Sequence, residues 1–346
     1  MSERPGHPLV HLTAWRIREF TREPEALFWV FVFPVLLAFA LGLAFKNRAV
    51  QVVAVAVERG SGAADLMQAL DAAAGVAPVL VDSSEARNRL RTGRVALVVR
   101  PGEPVVFVYD STRQESYVAR LVVDQAIQRA AGVEPRRAVV DRRVTEKGAR
   151  YIDFLLPGLI GMGIMGTGMW GVGFGIVKTR NQKLLKRLIA SPMRRSEFML
   201  SFVLSRLFFL VLEVGSLLAF GALVFGVPFR GSLLAVAVIS VLGAMTFAGL
   251  GLLVASRSRT IEGVSGLMNV VMVPMWICSG VFFAYSNFPE PMQPFLQALP
   301  LTALNDALRA VILDGTGLAA TVGFLGILAA WGVGSFGVAL KVFRWQ

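Results

Sequence analysis

Side chains that could catalyse a reaction are few in this sequence and are not grouped. The 346 residues include a single cysteine, Cys278, and two histidines, His7 and His11, both near the first residue. Nucleophilic catalysis needs a serine, threonine or cysteine that a nearby base can activate, and no such set is recognisable. One cysteine forms neither an internal disulfide nor a cysteine-rich metal site. We therefore predict no catalytic residue and no metal site.

A phosphate-binding loop is not recognisable either. Residues 173–179 (Gly-Phe-Gly-Ile-Val-Lys-Thr) are glycine-rich, but Val177 precedes Lys178 where the nucleotide-binding motif needs glycine. We therefore predict that this chain is not an ATPase and binds no cofactor. Any use of ATP must depend on a partner chain.

An acidic residue within an apolar stretch is the clearest candidate for function. Glu213 lies roughly 14 residues into such a stretch, about 21 Å along a helix, and Arg206 precedes it on roughly the same face. Because an ionised carboxylate is costly in hydrocarbon, Glu213 should face a partner or a wet cavity. A buried structural contact, a place in a substrate pathway and a lipid-facing position are the alternatives. Met165, an adaptable apolar side chain, is the second pathway candidate, although methionine there could simply fill space.

The chain that carries these residues is more apolar than a soluble protein. It is 55% hydrophobic and 17% charged, against about 45–50% and about 25% for soluble chains. The fold class we predict is a mainly α-helical integral membrane protein. Six runs are long enough to cross a bilayer: 26–45, 154–177, 199–225, 232–254, 264–283 and 318–340. The first run is too long for the apolar core of a signal peptide, which favours a retained span.

Basic residues indicate the orientation of these spans. Lys178–Arg195 contains seven basic residues and no acidic one, and further basic residues flank residue 258 and follow residue 340. By the positive-inside rule, these segments and both termini are predicted to be cytoplasmic. The net charge of +12 is therefore explained by topology, and we expect no nucleic acid partner.

Three segments are predicted not to span. Residues 1–25 form a cytoplasmic tail with an amphipathic interfacial helix at 8–21, whose apolar stripe is Val10, Ala14, Ile17 and Phe20. Residues 46–150 alternate strand-like and helical runs, which predicts a small external α/β domain. Its predicted strands are 50–57, 95–100, 105–109 and 138–144, and its helices are 63–74, 83–91 and 114–131. Residues 286–315 have short apolar pieces broken by prolines, typical of re-entrant external helices.

The basic stretch at 178–195 also has a helical pattern. Leu184, Leu185, Leu188 and Ile189 recur at helical spacing among basic residues. A short helix of this kind can dock in a groove on an acidic soluble partner. The alternative is a basic collar on anionic lipid headgroups.

Three segments resemble the ABC-2 type transporter permeases, in the right order along the chain. They are the basic helix with Arg22-Glu-Pro24 before a span containing Pro34, the segment 183–193 (Lys-Leu-Leu-Lys-Arg-Leu-Ile-Ala-Ser-Pro-Met), and 279–309 with its Leu299-Pro-Leu-Thr-Ala-Leu-Asn-Asp-Ala-Leu-Arg309 end. The resemblance is greatest to the subgroup with a large external domain between spans one and two. Asn181 and Gln182 depart from the pattern of many family members, which have an acidic residue and a glycine just before this segment.

The resemblance implies an exporter of the bacterial inner membrane. Such an exporter has two permease subunits, identical or homologous, and two ABC ATP-binding subunits that hold ATP and Mg. Coupling to the ATPase would fall to Lys183, Leu184, Lys186, Arg187 and Leu188. An apolar conduit would suit a hydrophobic or amphipathic substrate, such as a drug or lipid. The rival hypotheses are a membrane scaffold or receptor that senses through the external domain, and an ATP-independent transporter, for which inverted repeats are not evident.

Two smaller features have open interpretations. Asp306 and Arg309, one helical turn apart in the external helices, could form a local ion pair or a gate. The second span is glycine-rich, with eight glycines between residues 158 and 175. Those glycines could permit close helix packing or line a conduit.

Overall fold

The computed structural model describes residues 8–45, 52–133, 148, 150–175, 177, 195–258 and 260–342. Contacts divide the chain into two compact units. One consists of Met1–Lys46 together with Thr145–Gln346, and the other of Asn47–Val144.

The first unit opens with two helices, α1 (Pro8–Thr21) and α2 (Pro24–Ala44). Pro24 occupies the first turn of α2, where a backbone N–H would have no helical partner. A π-helical turn, Phe28–Val32, interrupts the regular α-helical ladder just before Pro34. Proline lacks the N–H that this ladder needs, so the irregularity falls where the sequence already weakens it.

The second unit is a four-stranded sheet with helices on both faces. In chain order it contains β1 (Val53–Glu58), α3 (Ala63–Asp71), β2 (Val76–Val81), α4 (Ser83–Arg91), β3 (Leu97–Arg100), β4 (Val106–Val108) and α5 (Gln114–Ala130). The strand order is β2-β1-β3-β4, with β4 antiparallel to β3 and the other pairs parallel. Alternate residues of β1 face opposite layers, so Val55 and Val57 pack with α3 and α5 while Ala56 packs with α4.

This sheet corrects the sequence-based prediction at one strand. Val76–Val81 forms β2 although we did not predict a strand there, and it pairs with β1 from Val53↔Val76 to Glu58↔Val81. The strand predicted at 138–144 lies outside the described residues.

The first unit continues with the remaining long helices. They are α6 (Tyr151–Phe174), α7 (Arg195–Phe225), α8 (Leu233–Arg257) and α9 (Ile261–Cys278). Counted over the described residues, six helices, including α2 and a last one at Leu318–Val342, are long and apolar enough to cross a membrane. The prediction of six spans is confirmed. Helix α9 ends earlier than the predicted 264–283, because Gly280 adopts a left-handed φ of 71° and turns the chain away.

Short helices connect α9 to the last long helix. They are two 3₁₀ turns (Tyr285–Asn287 and Glu290–Met292), α10 (Gln293–Gln297) and α11 (Pro300–Ile312). Helix α12 (Val322–Val342) follows after one more 3₁₀ turn. Most residues of α11 are buried, and it packs against α6, α8 and α12. The short helices predicted at 286–315 are therefore present, and their depth in the membrane stays a prediction.

Helix α6 is the most buried of the six candidate spans, and most of its glycines lie at close contacts with neighbouring elements. A Cβ added at Gly158 would lie 2.8 Å from the Val281 carbonyl oxygen, and one at Gly168 would lie 2.8 Å from Cβ of Phe247. Neighbouring backbones approach here as closely as glycine permits, which favours helix packing as the role of these glycines.

Candidate functional site

The predicted coupling residues, Lys183, Leu184, Lys186, Arg187 and Leu188, lie outside the described residues. Their role stays a prediction. The described residues on either side of them belong to helices α6 and α7. Helix α6 ends at Phe174 and α7 begins at Arg195, so the segment 178–194 lies between these two helices in the chain.

Glu213, the predicted pathway residue on α7, is buried between helices. Its side chain contacts α6, where the Thr167 hydroxyl lies within hydrogen-bonding distance of its Oε2 at 3.2 Å. The residue is only 1% exposed, so the lipid-facing alternative is wrong. A small cavity of about 30 Å³ lies beside it, lined by Thr167, Gly168 and Arg206 among others. A cavity of that size has room for about one water molecule.

Met165, the other predicted pathway residue, is also fully buried in the helical core. Neither Met165 nor Glu213 faces an open passage in this conformation. A pathway role for either side chain therefore requires the surrounding helices to separate, and it stays a prediction.

Asp306 and Arg309 form an ion pair on α11, with Arg309 Nη1 lying 3.2 Å from Asp306 Oδ1. Arg309 also donates to the carbonyl oxygens of Phe154 and Gly280, and its guanidinium lies 3.8 Å from the centre of the Phe154 ring. It thus connects α11 to α6 and to the turn after α9. Burial raises the pKa of the Asp306 carboxyl, and the charge of Arg309 opposes that rise.

Asn305 adds a second contact at the same place. Its amide Nδ2 donates to the Ser279 carbonyl oxygen at 2.9 Å, and its side chain fits against Gly161 of α6. The turn at residues 279–280 is therefore bound to α11 through both Asn305 and Arg309. We did not predict a role for Asn305, because its spacing from charged neighbours carries no signal.

Helix α1 packs along the beginning of α7. Arg16 Nε donates to the Ser201 hydroxyl at 3.2 Å, and the rings of Phe20 and Phe209 are 4.2 Å apart between centroids. Burial at this contact lowers the pKa of Arg16 to about 10. Val10 of the predicted apolar stripe is 63% exposed, whereas Ala14, Ile17 and Phe20 are partly buried. The interfacial position of this helix stays a prediction. The contacts with α7 include Phe20 of that stripe and one polar residue outside it, Arg16.

Arg150 and Asp153 form a polar cap at the start of α6 that sequence reasoning missed. Asp153 accepts hydrogen bonds from the Arg150 backbone at 3.1 Å and from its guanidinium at 2.9 Å. Arg150 also donates to the Phe225 carbonyl oxygen at 2.8 Å, which connects the start of α6 to the end of α7. An Arg-x-x-Asp pattern at the first turn of a span is the signal that could have found it.

Six apolar helices with buried polar contacts between them define a polytopic α-helical membrane protein. A sequence model of the family described as "ABC-2 family transporter protein" matches residues 24–341. The chain belongs to this family, which confirms the resemblance found in the sequence.

Several curated proteins are similar to the chain. The probable multidrug ABC transporter permease YbhS of Escherichia coli (strain K12) is 21% identical over 325 residues, covering 86% of each chain. The linearmycin resistance permease protein LnrN of Bacillus subtilis (strain 168) is 29% identical over 178 residues, 51% of this chain and 46% of that protein. ABC transporter G family member 20 of Dictyostelium discoideum is 27% identical over 186 residues, 54% of this chain but 26% of that protein. These last two matches cover less than half of the relatives' own length.

Proposed function

We propose that the chain is the membrane-spanning permease subunit of an ATP-driven ABC exporter. The family match over residues 24–341, combined with six helices able to cross a membrane, carries this proposal. In it, the chain has no ATPase site of its own, and ATP and Mg are bound by separate subunits. Two ATP-binding subunits and a second permease, identical or homologous, complete the exporter.

Residues 178–195 are the proposed coupling segment. Their seven basic residues and apolar stripe suit a groove on an acidic soluble partner. The position of the segment between α6 and α7 supports the proposal, because a push on it would reach two long helices at once. Lys183, Lys186 and Arg187 would make the charged contacts, and Leu184 and Leu188 the apolar ones.

The proposed location is the bacterial inner membrane, with both termini cytoplasmic and residues 46–150 outside. The distribution of basic residues supports this orientation. The proposed substrate is hydrophobic or amphipathic. Similarity to a probable multidrug permease and to a linearmycin resistance permease supports an exported compound of that kind. Met165 would contact it once the surrounding helices separate. Glu213 would contact it only if α6 and α7 part, which is the alternative to a lasting structural contact between these two helices.

The test is a pull-down of tagged chain from its native membrane in mild detergent, probed for an ATP-binding-cassette subunit. A second sample carries Lys183→Glu, Lys186→Glu and Arg187→Glu together. We expect the subunit to co-purify with the parent and to be lost from the variant, because the reversed charges would repel an acidic groove.

Two controls separate docking from other effects of charge. Arg87, Arg91 and Arg94 are exposed on the α/β unit, and changing all three to Glu makes the same charge difference elsewhere. A variant with Gln at 183, 186 and 187 shows whether loss of charge suffices. If no ATPase accompanies the parent in several detergents, the exporter proposal is wrong, and a scaffold or an ATP-independent transporter takes its place.

A further inference from the structure

The two charged residues within α7 each lie against a glycine of α6. A Cβ atom on Gly163 would overlap the Glu213 carboxylate, and a Cβ on Gly171 would overlap the Arg206 guanidinium. Thr167 lies midway between these glycines, so all three positions share one face of α6. Glu213 and Arg206 likewise share one face of α7. Both contacts form together in only one register of the two helices.

A shift in that register would be costly. Sliding α7 by one helical turn, about 5.4 Å, would move Glu213 from Gly163 onto a residue with a side chain. A slide toward Leu159 would also break the 3.2 Å hydrogen bond with the Thr167 hydroxyl, and a slide the other way would place Glu213 on the Thr167 side chain itself. A carboxylate that loses its partners inside a membrane is strongly destabilising, so the charges oppose sliding and separation of α6 and α7.

Two further polar atoms belong to residues that line one small cavity. Glu213 Oε1 and Arg206 Nη2 are buried and have no hydrogen-bond partner within the described part of the chain. Both residues line the cavity of about 30 Å³ between α6, α7 and α8. The two glycines that these side chains contact are eight residues apart, about 12 Å along α6. The opposite charges therefore act on each other through the weakly polarisable core, without direct contact.

We propose that Arg206, Glu213 and Thr167, seated against Gly163 and Gly171, form a polar lock that holds α6 and α7 in register. The segment 178–194 joins these two helices, so the lock makes them respond to its movement as one body. Arg206 and Glu213 are then positioning residues for transport. This inference rests on the proposed function for its role in coupling, but the lock itself does not.

The lock is tested first by a double-mutant cycle on the full chain in detergent. Glu213→Gln and Arg206→Met each remove one of the two opposite charges that line the cavity, which leaves the other buried charge unbalanced. We expect each to lower the thermal midpoint by roughly 6–10 °C, and the double variant to lose clearly less than the sum. Effects that add to within about 1 °C would overturn the lock.

The contact between Glu213 and Gly163 can be tested with a matched control glycine on the same helix. Gly163→Ala would displace the Glu213 carboxylate, whereas a Cβ at Gly166 has only Met272 Cε at 3.9 Å. We expect Gly163→Ala to lower the midpoint and Gly166→Ala to leave it unchanged. In a Glu213→Ala background the effect of Gly163→Ala should disappear, because the overlapping atoms are gone. If Gly163→Ala still lowers the midpoint in the Glu213→Ala background, the proposed packing of Glu213 against Gly163 is wrong.

The role of the lock in coupling needs a readout that a loss of stability alone would not change. Hydrogen–deuterium exchange of the complex with its ATPase is compared with and without ATP plus vanadate. In the parent we expect peptides from α6 and α7 to change together. In Glu213→Gln and Arg206→Met, α7 should exchange about tenfold faster whatever the nucleotide, with Val211→Ala, exposed on α7, as control.

The outcomes separate the two proposals. If the variants retain the ATPase but lose the joint response of α6 and α7, the lock transmits movement. If they keep the joint response of the parent, the coupling role of the lock is wrong. If the parent binds no ATPase, the proposed function fails, and the thermal cycle still decides whether the lock exists.

Discussion

Replacing Arg309 with methionine should destabilise the helical unit more than any change at its ion-pair partner. Arg309 donates to the Phe154 carbonyl oxygen at 3.3 Å and to that of Gly280, in addition to pairing with Asp306. Methionine fills similar space and removes all of these contacts. It would also leave the Asp306 carboxylate, 18% exposed at its side chain, without a partner.

The expected loss follows from those contacts. A hydrogen bond from a charged donor contributes about 1.5–3 kcal/mol, and stacking on the Phe154 ring contributes about 0.5–2 kcal/mol. These terms overlap, and removing one member of a buried pair costs about 3–5 kcal/mol in measured cases. We take about 3–5 kcal/mol as the whole effect of Arg309→Met. At about 2 °C per kcal/mol for a long chain, the thermal midpoint should fall by roughly 6–10 °C.

Asp306→Asn tests the other residue of the ion pair. Its thermal midpoint should depend on pH differently from that of the parent. Burial raises the pKa of Asp306, so its protonated form is favoured on folding. The stabilising contribution of this group is complete below its unfolded pKa and is lost as pH rises through the folded pKa. Asparagine has no charge to bury. We therefore expect Asp306→Asn to gain in midpoint relative to the parent as pH rises from about 4 to about 7.

The assay is thermal unfolding in one detergent at a fixed heating rate, because membrane proteins often unfold irreversibly. Arg18→Met, at an exposed position on α1, is the matched control and should leave the midpoint within about 1 °C. An Arg309→Met midpoint within about 2 °C of the parent would refute the reasoning. So would an Asp306→Asn variant that loses as much stability as Arg309→Met at neutral pH.

Two further predictions concern contacts of α8. Gly251→Ala should cost about 2–3 kcal/mol, because a Cβ there lies 2.7 Å from the Met169 carbonyl oxygen and 2.9 Å from its Cα, which cannot rotate away. Gly266→Ala, with nothing within 4 Å, is its control and should be neutral or stabilising by up to about 1 kcal/mol. Thr246→Val should cost about 0.5–1.5 kcal/mol through loss of the 2.9 Å hydrogen bond to the Leu328 carbonyl oxygen on α12. Thermal midpoints equal to that of the parent would contradict either prediction.

The spans were predictable because a bilayer imposes a length and an apolar composition on each of them. Their ends were less predictable, as α9 shows. Hydropathy continues past Cys278 into Val281 and Phe282, yet the helix stops at the Gly280 turn. That turn is held by Arg309 and Asn305 from a distant helix. Contacts of this kind, made by residues far away in the chain, cannot be predicted from the sequence around Gly280.

The missed strand β2 has a different cause. Pro78 lies in the middle of Val76–Val81, and proline within a run argues against a strand because it cannot donate to a ladder. Strand β2 is at the edge of the sheet and pairs only with β1 among the described strands. An edge position tolerates proline, but the strand order that makes it an edge is known only from the fold.

The charged residues of the candidate site were predictable from the sequence, but their contacts on α6 were not. The spacing of Arg206 and Glu213 predicted a shared face, and the cost of a charge in hydrocarbon predicted burial. What surrounds them on α6 could not be derived, because the seven glycines of that helix are distributed around its circumference. Only the packing distinguishes Gly163, which faces Glu213, from Gly168, which faces Phe247 of α8.

That distribution of glycines has a consequence for how movement could spread through the molecule. Gly158 meets the turn after α9, Gly161 meets α11, Gly163 and Gly171 meet α7, and Gly168 meets α8. Helix α6 is thus in close contact with most of the unit, and the proposed coupling segment follows it in the chain. A displacement at residues 178–194 would reach α7, α8 and α11 through glycine contacts that leave little room for independent motion. We infer that a movement caused by the proposed ATP-binding subunit would be transmitted to the other helices mainly through α6, more than through any single charged residue.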